Sequence, residues 1–167
     1  MPQITKEIPL DPVAKKTVLR LFTYGLYAVG VAAGEDRNMF TANWVTQVSF
    51  EPPLIAMSVQ NDGHSIDLIR QSRSFAISVL GDDQRDIAGL LGKRWKLRPE
   101  KIEEVAYRLG MTGSPILEDA LGSVECIVTD SMAAGDSTLF IGRVMAAEVG
   151  REGTPLTMAG AGFRHAG

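Results

Sequence analysis

Residues 38–59 read Asn-Met-Phe-Thr-Ala-Asn-Trp-Val-Thr-Gln-Val-Ser-Phe-Glu-Pro-Pro-Leu-Ile-Ala-Met-Ser-Val. Two apolar-rich runs in this segment, residues 44–50 and 54–59, have the length and composition of β-strands. The Pro52-Pro53 pair between them fixes φ and removes two backbone donors, so the chain is expected to turn there. The segment therefore predicts two strands joined by a rigid corner.

A polar step precedes the first of these strands. Thr41 and Asn43 carry a hydroxyl and an amide, and Trp44 adds a flat apolar face. Such a shelf suits a planar heterocycle rimmed by hydrogen-bonding atoms. A structural alternative stays open, in which Thr41 caps the start of a strand and Trp44 belongs to the core.

The rest of the chain continues the pattern of short strands. Residues 65–71 and 83–91 have apolar side chains at helical spacing and predict two helices, and a third is expected to begin near residue 17. We expect a turn at 34–38 and a small-residue loop at 133–137. Further strands are predicted at residues 24–32, 75–80, 123–130 and 138–149. About six short strands without regular βαβ alternation favour an antiparallel barrel over a doubly wound sheet.

The length of the chain predicts one domain. It has 167 residues, and the 45% that are hydrophobic are enough for a sizeable core. Residues 1–16 are polar, contain three prolines and predict a loosely held arm, with the domain at residues 17–167. The charged residues 92–104 predict a surface excursion, and the Gly-rich tail after residue 150 predicts a fraying end.

Charge and composition exclude several classes of partner. With a net charge of −3, a pI near 5.4 and no basic stripe, the chain is not expected to bind nucleic acid. Its longest uncharged run, residues 21–34, is too short to cross a membrane, and the N-terminus lacks a signal-peptide core. The single cysteine, Cys126, excludes an internal disulfide and is expected to be a buried inert thiol. We therefore expect a cytoplasmic protein.

No motif points to catalysis by side chains alone. The Gly-x-Ser steps at residues 63–65 and 135–137 lack the second glycine of a nucleophile elbow. His64 and His165 have neither metal-ligand spacing nor cysteine partners. The chain has no Gly-x-Gly-x-x-Gly after a strand and no P-loop. A bound organic cofactor is therefore expected to supply any chemistry.

The Thr-Ala-Asn-Trp step at 41–44, followed by Ser-x-x-Pro-Pro at 49–53, resembles the flavin reductase-like family of FMN-binding split barrels. The similarity covers roughly residues 15–160, and residues 24–27 and 41–48 are most similar to a subgroup near flavoredoxin and the flavin domain of high-molecular-weight rubredoxins. It implies a mainly β (α+β) fold, a six-stranded antiparallel Greek-key split barrel with short flanking helices. It also implies contacts to the isoalloxazine edge and ribityl chain of FMN from Thr41, Ala42, Asn43 and Trp44.

A second candidate segment lies where a predicted strand is followed by a predicted helix. The resemblance places residues 58–65 beside the ribityl chain and phosphate of FMN, and the free N–H groups of a helix start favour an anion. The candidates are Ser58, Val59, Gln60, His64 and Ser65, and Lys93 is a candidate for neutralising the phosphate. Simpler alternatives stay open: Ser65 as an N-cap, His64 as a solvated loop histidine and Lys93 in a solvated basic loop.

The loop at residues 134–142 matches a second family pattern, with one departure. The family reads Gly-Asp-His-x-x-Phe-x-Gly, and this chain has Ser137 in place of the histidine. The resemblance puts that position on the nicotinamide side of the flavin, so Ser137 is the catalytic candidate. The replacement removes a protonatable group and predicts slower turnover with NAD(P)H.

The resemblance implies an FMN-dependent oxidoreductase of the flavin reductase type. It would pass electrons from NAD(P)H through FMN to a flavin or redox-protein acceptor. The alternatives are a non-enzymatic FMN-binding electron carrier, like flavoredoxin, and a cofactor-free dimeric module. A homodimer is expected, because in the family a second subunit completes the flavin site. No rubredoxin Cys-x-x-Cys pair is present, so a redox-protein or monooxygenase partner is expected to be a separate protein.

Overall fold

The computed structural model describes residues 8–164 of the chain. The strands within this range are β1 Tyr27–Ala33, β2 Asp36–Ala42, β3 Val45–Ser49, β4 Leu54–Gln60, β5 Ser74–Val79, β6 Tyr107–Leu109, β7 Pro115–Leu117, β8 Gly122–Ala134 and β9 Ser137–Val149. The α-helices are α1 Pro12–Leu19, α2 His64–Ser72, α3 Arg85–Leu91 and α4 Met158–Ala161. Short 3-10 helices lie at Trp95–Leu97 and Lys101–Glu104.

Seven of these strands form one sheet in the order β2-β1-β5-β8-β9-β4-β3, and β6 pairs with β7 in a small second sheet. Every pairing is antiparallel. The non-sequential order of the strands requires the long connections that are typical of a Greek key. The mainly β, antiparallel prediction is therefore confirmed, although the main sheet of the described residues has seven strands in place of the expected six.

Two tight turns explain why the boundaries of β2, β8 and β9 differ from those that the sequence predicts. Gly34 and Gly135 have φ values of 62° and 66°, and each closes a two-residue hairpin together with the acidic residue that follows it. Glycine adopts this left-handed conformation without a steric penalty. The turns are therefore shorter than the loops predicted at 34–38 and 133–137, and β2, β8 and β9 extend into those residues.

Strand β1 lies between two clusters of buried apolar side chains. Val29 and Val31 belong to the first cluster, which also contains the apolar face of α2. Ala28 belongs to the second cluster, which contains apolar residues of α3 and α4. Packing on β1 is close, since a Cβ added at Gly30 would lie 1.8 Å from the carbonyl oxygen of Pro115. This packing holds α2 and α3 beside β2, which is the edge strand that pairs with β1.

The tail after residue 150 packs on the domain. Leu156 and Ala161 are buried in the second cluster, and an isolated bridge joins Pro155 to Gly81. The hydroxyl of Thr157 caps the start of α4. The prediction of a fraying end is wrong for residues 151–164, because two apolar side chains in this tail bury their surface against the core.

The described N-terminal segment is less buried than the C-terminal tail. Helix α1 has no buried side chain, and the predicted boundary between residues 16 and 17 falls inside it. Residues 1–7 of the predicted arm lie outside the described residues. The predicted excursion at residues 92–104 is irregular in part, but Lys101 and Ile102 within it are buried.

Cys126 is fully buried in β8. Burial, together with the negative charge of Glu125, raises the pKa of its thiol to about 12. A thiol with so high a pKa is protonated and unreactive at neutral pH, in agreement with the sequence prediction. No helix between residues 8 and 164 is long and apolar enough to span a membrane.

Candidate functional site

A cavity of about 570 Å³ opens beside the ends of β2 and β4. Residues 43–44 connect β2 to β3, the two edges of the main sheet, and form one wall of this cavity. The start of α2 and the residues from 88 to 96 form the others. All ten residues predicted to bind a cofactor line it: Thr41, Ala42, Asn43, Trp44, Ser58, Val59, Gln60, His64, Ser65 and Lys93.

Thr41 joins the end of β2 to α3. Its hydroxyl donates a hydrogen bond of 2.6 Å to the carbonyl oxygen of Ala88. The hydroxyl proton is therefore committed within the chain, and only the oxygen lone pairs remain for a ligand that donates. Trp44 is half-buried at the cavity and belongs to neither core cluster, so the alternative of a core tryptophan is wrong.

Two buried amide atoms at the cavity lack a hydrogen-bond partner among residues 8–164. Asn38 is 1% exposed, and its Nδ2 donates to Ser65 Oγ at 2.8 Å, but its Oδ1 accepts no hydrogen bond. The Nδ2 of Asn43 likewise has no acceptor. An unpaired buried polar group costs roughly 1–3 kcal/mol. Both residues line the cavity, which makes these two atoms candidates for contact with a bound ligand.

The start of α2 favours an anion. Its N-cap is Gly63, and no side chain caps the first turn, so the backbone N–H groups there point to a ligand or to solvent. Ser65 lies within the first turn and accepts from Asn38, so the alternative of Ser65 as N-cap is wrong. The side chains of Lys93, Arg94 and Lys96 line the same cavity and add positive charge.

His64 fastens the 92–96 loop to α2. Its Nε2 lies 3.0 Å from Oδ2 of Asp36, and its ring stacks on that of Trp95 with 4.1 Å between the centroids and 22° between the planes. The His64 side chain is only 20% exposed. The alternative of a solvated loop histidine is therefore wrong, and the stacked pair closes one side of the cavity.

Lys101 is a cavity residue that the sequence pattern does not reveal. It is 2% exposed, and its Nζ donates hydrogen bonds of 2.6 Å to the carbonyl oxygens of Leu91 and of Lys93. Among residues 8–164 it forms no ion pair with a carboxylate. Burial lowers the pKa of its ammonium group from 10.5 to about 8. The group is thus a cation at neutral pH without a counterion in the described chain.

Ser137, the catalytic candidate, is not among the residues that line the cavity. It lies opposite Gln60 in the pairing of β4 with β9, and it is 2% exposed. Its hydroxyl donates to Oδ1 of Asp136 at 3.0 Å. Ser137 thus lies beside Gln60, a residue of the cavity wall, and its contact with a nicotinamide stays a prediction.

Comparison with known proteins identifies the relatives of this chain. The family model of the flavin reductase like domain matches residues 19–167. A probable flavin reductase of Rhizobium meliloti (strain 1021) is 33% identical over 147 residues, 87% of this chain and 46% of that protein. The high molecular weight rubredoxin of Moorella thermoacetica is 32% identical over 143 residues, 84% of this chain and 62% of that protein. The chain thus spans less than two thirds of the length of either relative.

Two solved structures share the fold. BorF, the flavin reductase component of a bacterial two-component tryptophan halogenase, superposes with a TM-score of 0.78 at 32% identity, covering 88% of this chain and 92% of that one. The NADH:FAD oxidoreductase SgcE6 of Streptomyces globisporus C-1027, in complex with NAD and FAD fragments, has a TM-score of 0.81 at 27% identity, covering 96% of this chain and 98% of that one. These similarities confirm the predicted split-barrel fold.

Proposed function

The chain belongs to the family of the flavin reductase like domain, and from this membership we propose that it is an FMN-dependent oxidoreductase that takes electrons from NAD(P)H. Bound FMN would supply the chemistry, by accepting a hydride from the nicotinamide and passing the electrons onward. The work of the chain is to bind and orient the flavin and to exclude water. The similarity to SgcE6, an NADH:FAD oxidoreductase, supports a nicotinamide as the electron donor and a flavin as the group that it reduces.

The two unpartnered amide atoms give the strongest support for FMN. The edge of an isoalloxazine ring carries carbonyl oxygens next to a ring N–H. It therefore offers an acceptor of the kind that Asn43 Nδ2 lacks and a donor of the kind that Asn38 Oδ1 lacks. The cavity of about 570 Å³ lies within the range of roughly 300–1,000 Å³ that is usual for ligand sites. The residues that line the cavity therefore fit FMN.

The remaining cavity residues suit the other parts of FMN. We assign the phosphate to the uncapped start of α2, where Lys93 and its basic neighbours add charge. Trp44 offers a flat face to the ring system, and the Thr41 oxygen is available as an acceptor. The stack of His64 on Trp95 shields this side of the site from water.

An absorbance titration tests the proposal. Adding FMN to the purified protein is expected to give the absorbance band of bound flavin at about 450 nm, which NADH or NADPH then bleaches under anaerobic conditions. The Ser114→Ala variant is a control. It removes a hydroxyl that is buried and has no hydrogen-bond partner among residues 8–164, but that lies outside the cavity. It should bind FMN as the wild type does. A wild-type protein that binds no FMN would support the cofactor-free module.

A second candidate function is a flavin-binding electron carrier. The position of Ser137 favours it, because the hydroxyl is buried, is engaged with Asp136 and does not line the cavity. A carrier would bind FMN but be reduced by another protein in place of a nicotinamide. Stopped-flow mixing separates the two, since fast bleaching by either nucleotide supports the reductase, and its absence supports the carrier.

We also propose a homodimer and a separate acceptor protein. Large apolar side chains are exposed on the barrel strands and on the β3–β4 corner, including Phe50, Met132 and Val149, and a second subunit would cover such surface. Sedimentation of the FMN-bound protein as a clean monomer would contradict the dimer. BorF serves a two-component halogenase, and the acceptor here would likewise be a flavin-using enzyme or a redox protein.

A further inference from the structure

Lys101 is buried, and no carboxylate between residues 8 and 164 forms an ion pair with it. Two of its three ammonium hydrogens are donated to backbone carbonyl oxygens, each at 2.6 Å, and its side chain lines the cavity. Carbonyl dipoles stabilise an ammonium group but leave its net charge in place. Burying a charge without an opposite partner is unfavourable, and such groups are rare outside functional sites.

Part of the role of Lys101 is structural. Its partner carbonyls belong to Leu91, the last residue of α3, and to Lys93, two residues later. A cation is favourable at the C-terminus of a helix, where carbonyl oxygens lack partners. A purely structural cap does not require burial beside a ligand cavity, however, since an exposed lysine at this helix end would meet the same carbonyls.

The backbone that holds the ammonium group of Lys101 passes close to Thr41. Gly92 separates the two partner carbonyls in sequence, and a Cβ added at Gly92 would be 3.9 Å from Cβ of Thr41. Thr41 is in turn bonded to Ala88 of the same helix. The other cavity cations, Lys93, Arg94 and Lys96, are exposed and solvated. Lys101 is therefore the one buried cation among the described residues of this wall.

We propose that Lys101 makes the cavity prefer reduced, anionic flavin to oxidised, neutral flavin, and so raises the midpoint potential of bound FMN. This inference rests on the proposed binding of FMN. The oxidised ring is neutral, and uptake of a hydride, which is two electrons and one proton from NAD(P)H, adds one negative charge to it. A buried uncompensated cation attracts the product of that step and has no comparable attraction for the oxidised ring.

The test measures the dissociation constant of oxidised FMN by fluorescence quenching, and the midpoint potential of the bound flavin by anaerobic titration against a reference dye. In Lys101→Met, which keeps the length of the side chain without its charge, binding of reduced FMN should weaken about tenfold more than binding of oxidised FMN. That ratio corresponds to a midpoint potential lower by about 30 mV for the two-electron couple. Lys101→Arg should keep most of the wild-type potential.

Lys96→Met is the matched control, because it removes an exposed lysine from the same cavity. It should weaken the two flavin states equally and leave the potential unchanged, as expected for a contact with the phosphate. A Lys101→Met protein that is less heat-stable but has the wild-type potential would reduce Lys101 to a helix cap and overturn the inference.

The wild-type protein provides an independent test if Lys101→Met fails to fold. Its bound FMN must then have a higher midpoint potential than free FMN, which means that reduced FMN binds more tightly than oxidised FMN. Equal or tighter binding of oxidised FMN would overturn the inference while the proposed function stands. Failure to bind FMN in both states would overturn the two together.

Discussion

The hydroxyl of Thr41 lies 2.6 Å from the carbonyl oxygen of Ala88, and this hydrogen bond ties the cavity end of β2 to α3. The sequence predicted that this hydroxyl serves a flavin, and the structure shows that its proton already serves the fold. The two roles are compatible, since a hydroxyl donates one hydrogen bond and accepts others. They can be separated by substitution.

Changing Thr41 to Val keeps the β-branched shape and removes the hydroxyl. We expect FMN affinity to fall about fivefold or more, which is roughly 1 kcal/mol. The flavin-free protein should melt at a lower temperature because the hydrogen bond that ties β2 to α3 is lost, although the Ala88 carbonyl keeps its hydrogen bond from the Gly92 N–H. Thr41→Ser, which keeps the hydroxyl, should retain both properties in large part. Fluorescence titration and thermal unfolding measure the two effects. A lower melting temperature with unchanged FMN affinity would make the hydroxyl purely structural.

Changing Asn43 to Leu should have effects of opposite sign on stability and binding. The unpaired Nδ2 is removed, so the free energy of unfolding of the flavin-free protein should rise by about 1 kcal/mol, while FMN affinity falls about tenfold. Ser114→Ala removes another unpaired buried group away from the cavity and should raise stability without loss of affinity. Urea unfolding and FMN titration give the two readouts. Undiminished FMN binding by Asn43→Leu would exclude this amide from the site.

Changing Ser137 to His restores the residue that the family pattern has at this position. We expect nearly unchanged FMN affinity, because Ser137 does not line the cavity. Flavin reduction by NAD(P)H should become about ten times faster if one charge-assisted contact of roughly 1.4 kcal/mol is gained in the transition state. Ser137→Ala is the control and should leave the rate close to that of the wild type. A wild-type protein that is reduced faster than Ser137→His would contradict the carrier alternative.

The burial of Lys101 should make stability depend on pH. Its pKa is lowered from 10.5 in the unfolded chain to about 8 in the folded protein, so between these values the unfolded state binds more protons. Stability contributed by this residue is therefore lowest below pH 8 and rises as the pH increases towards 10.5, by at most about 1.4 kcal/mol per pH unit. The free energy of unfolding of the wild type minus that of Lys101→Met should increase over this range. Urea unfolding at several pH values measures it, and a pH-independent difference would contradict the shift.

Most of the predicted site residues lie between 41 and 65, where contiguous polar steps carry the resemblance to the family, and all the predicted site residues except Ser137 line the cavity. Asn38 is not among the predicted site residues, because local composition predicts a turn at residues 34–38. Only the two-residue hairpin at Gly34 shows that it belongs to β2 and is buried against Ser65. Once β2 is known, a polar residue at a buried position of the strand is the signal that identifies it.

The predictions that fail for Lys101 and for the C-terminal tail have a common physical origin. Lys101 lies in a charged, irregular segment, and the Leu156 tail is rich in glycine. Local composition predicts exposure for both, and long-range packing decides otherwise. Leu156 fills the second core cluster, and Lys101 meets the end of a helix ten residues away. Neither contact has a periodic pattern in the sequence that would predict it.

The stack between His64 and Trp95 bears on how long a flavin stays bound. The segment of residues 92–96 is held at one end by the hydrogen bonds from Lys101 and at the other end by the stacking of Trp95 on His64. An aromatic pair is worth only about 0.5–1.5 kcal/mol, whereas β2 and β4 are held in the sheet by seven paired positions each, with β1 and β9 respectively. The two rings can therefore separate by thermal motion while the strands of the barrel stay paired. We expect variants at Trp95, which lose the stack, to release bound FMN faster without changing the contacts made by β2.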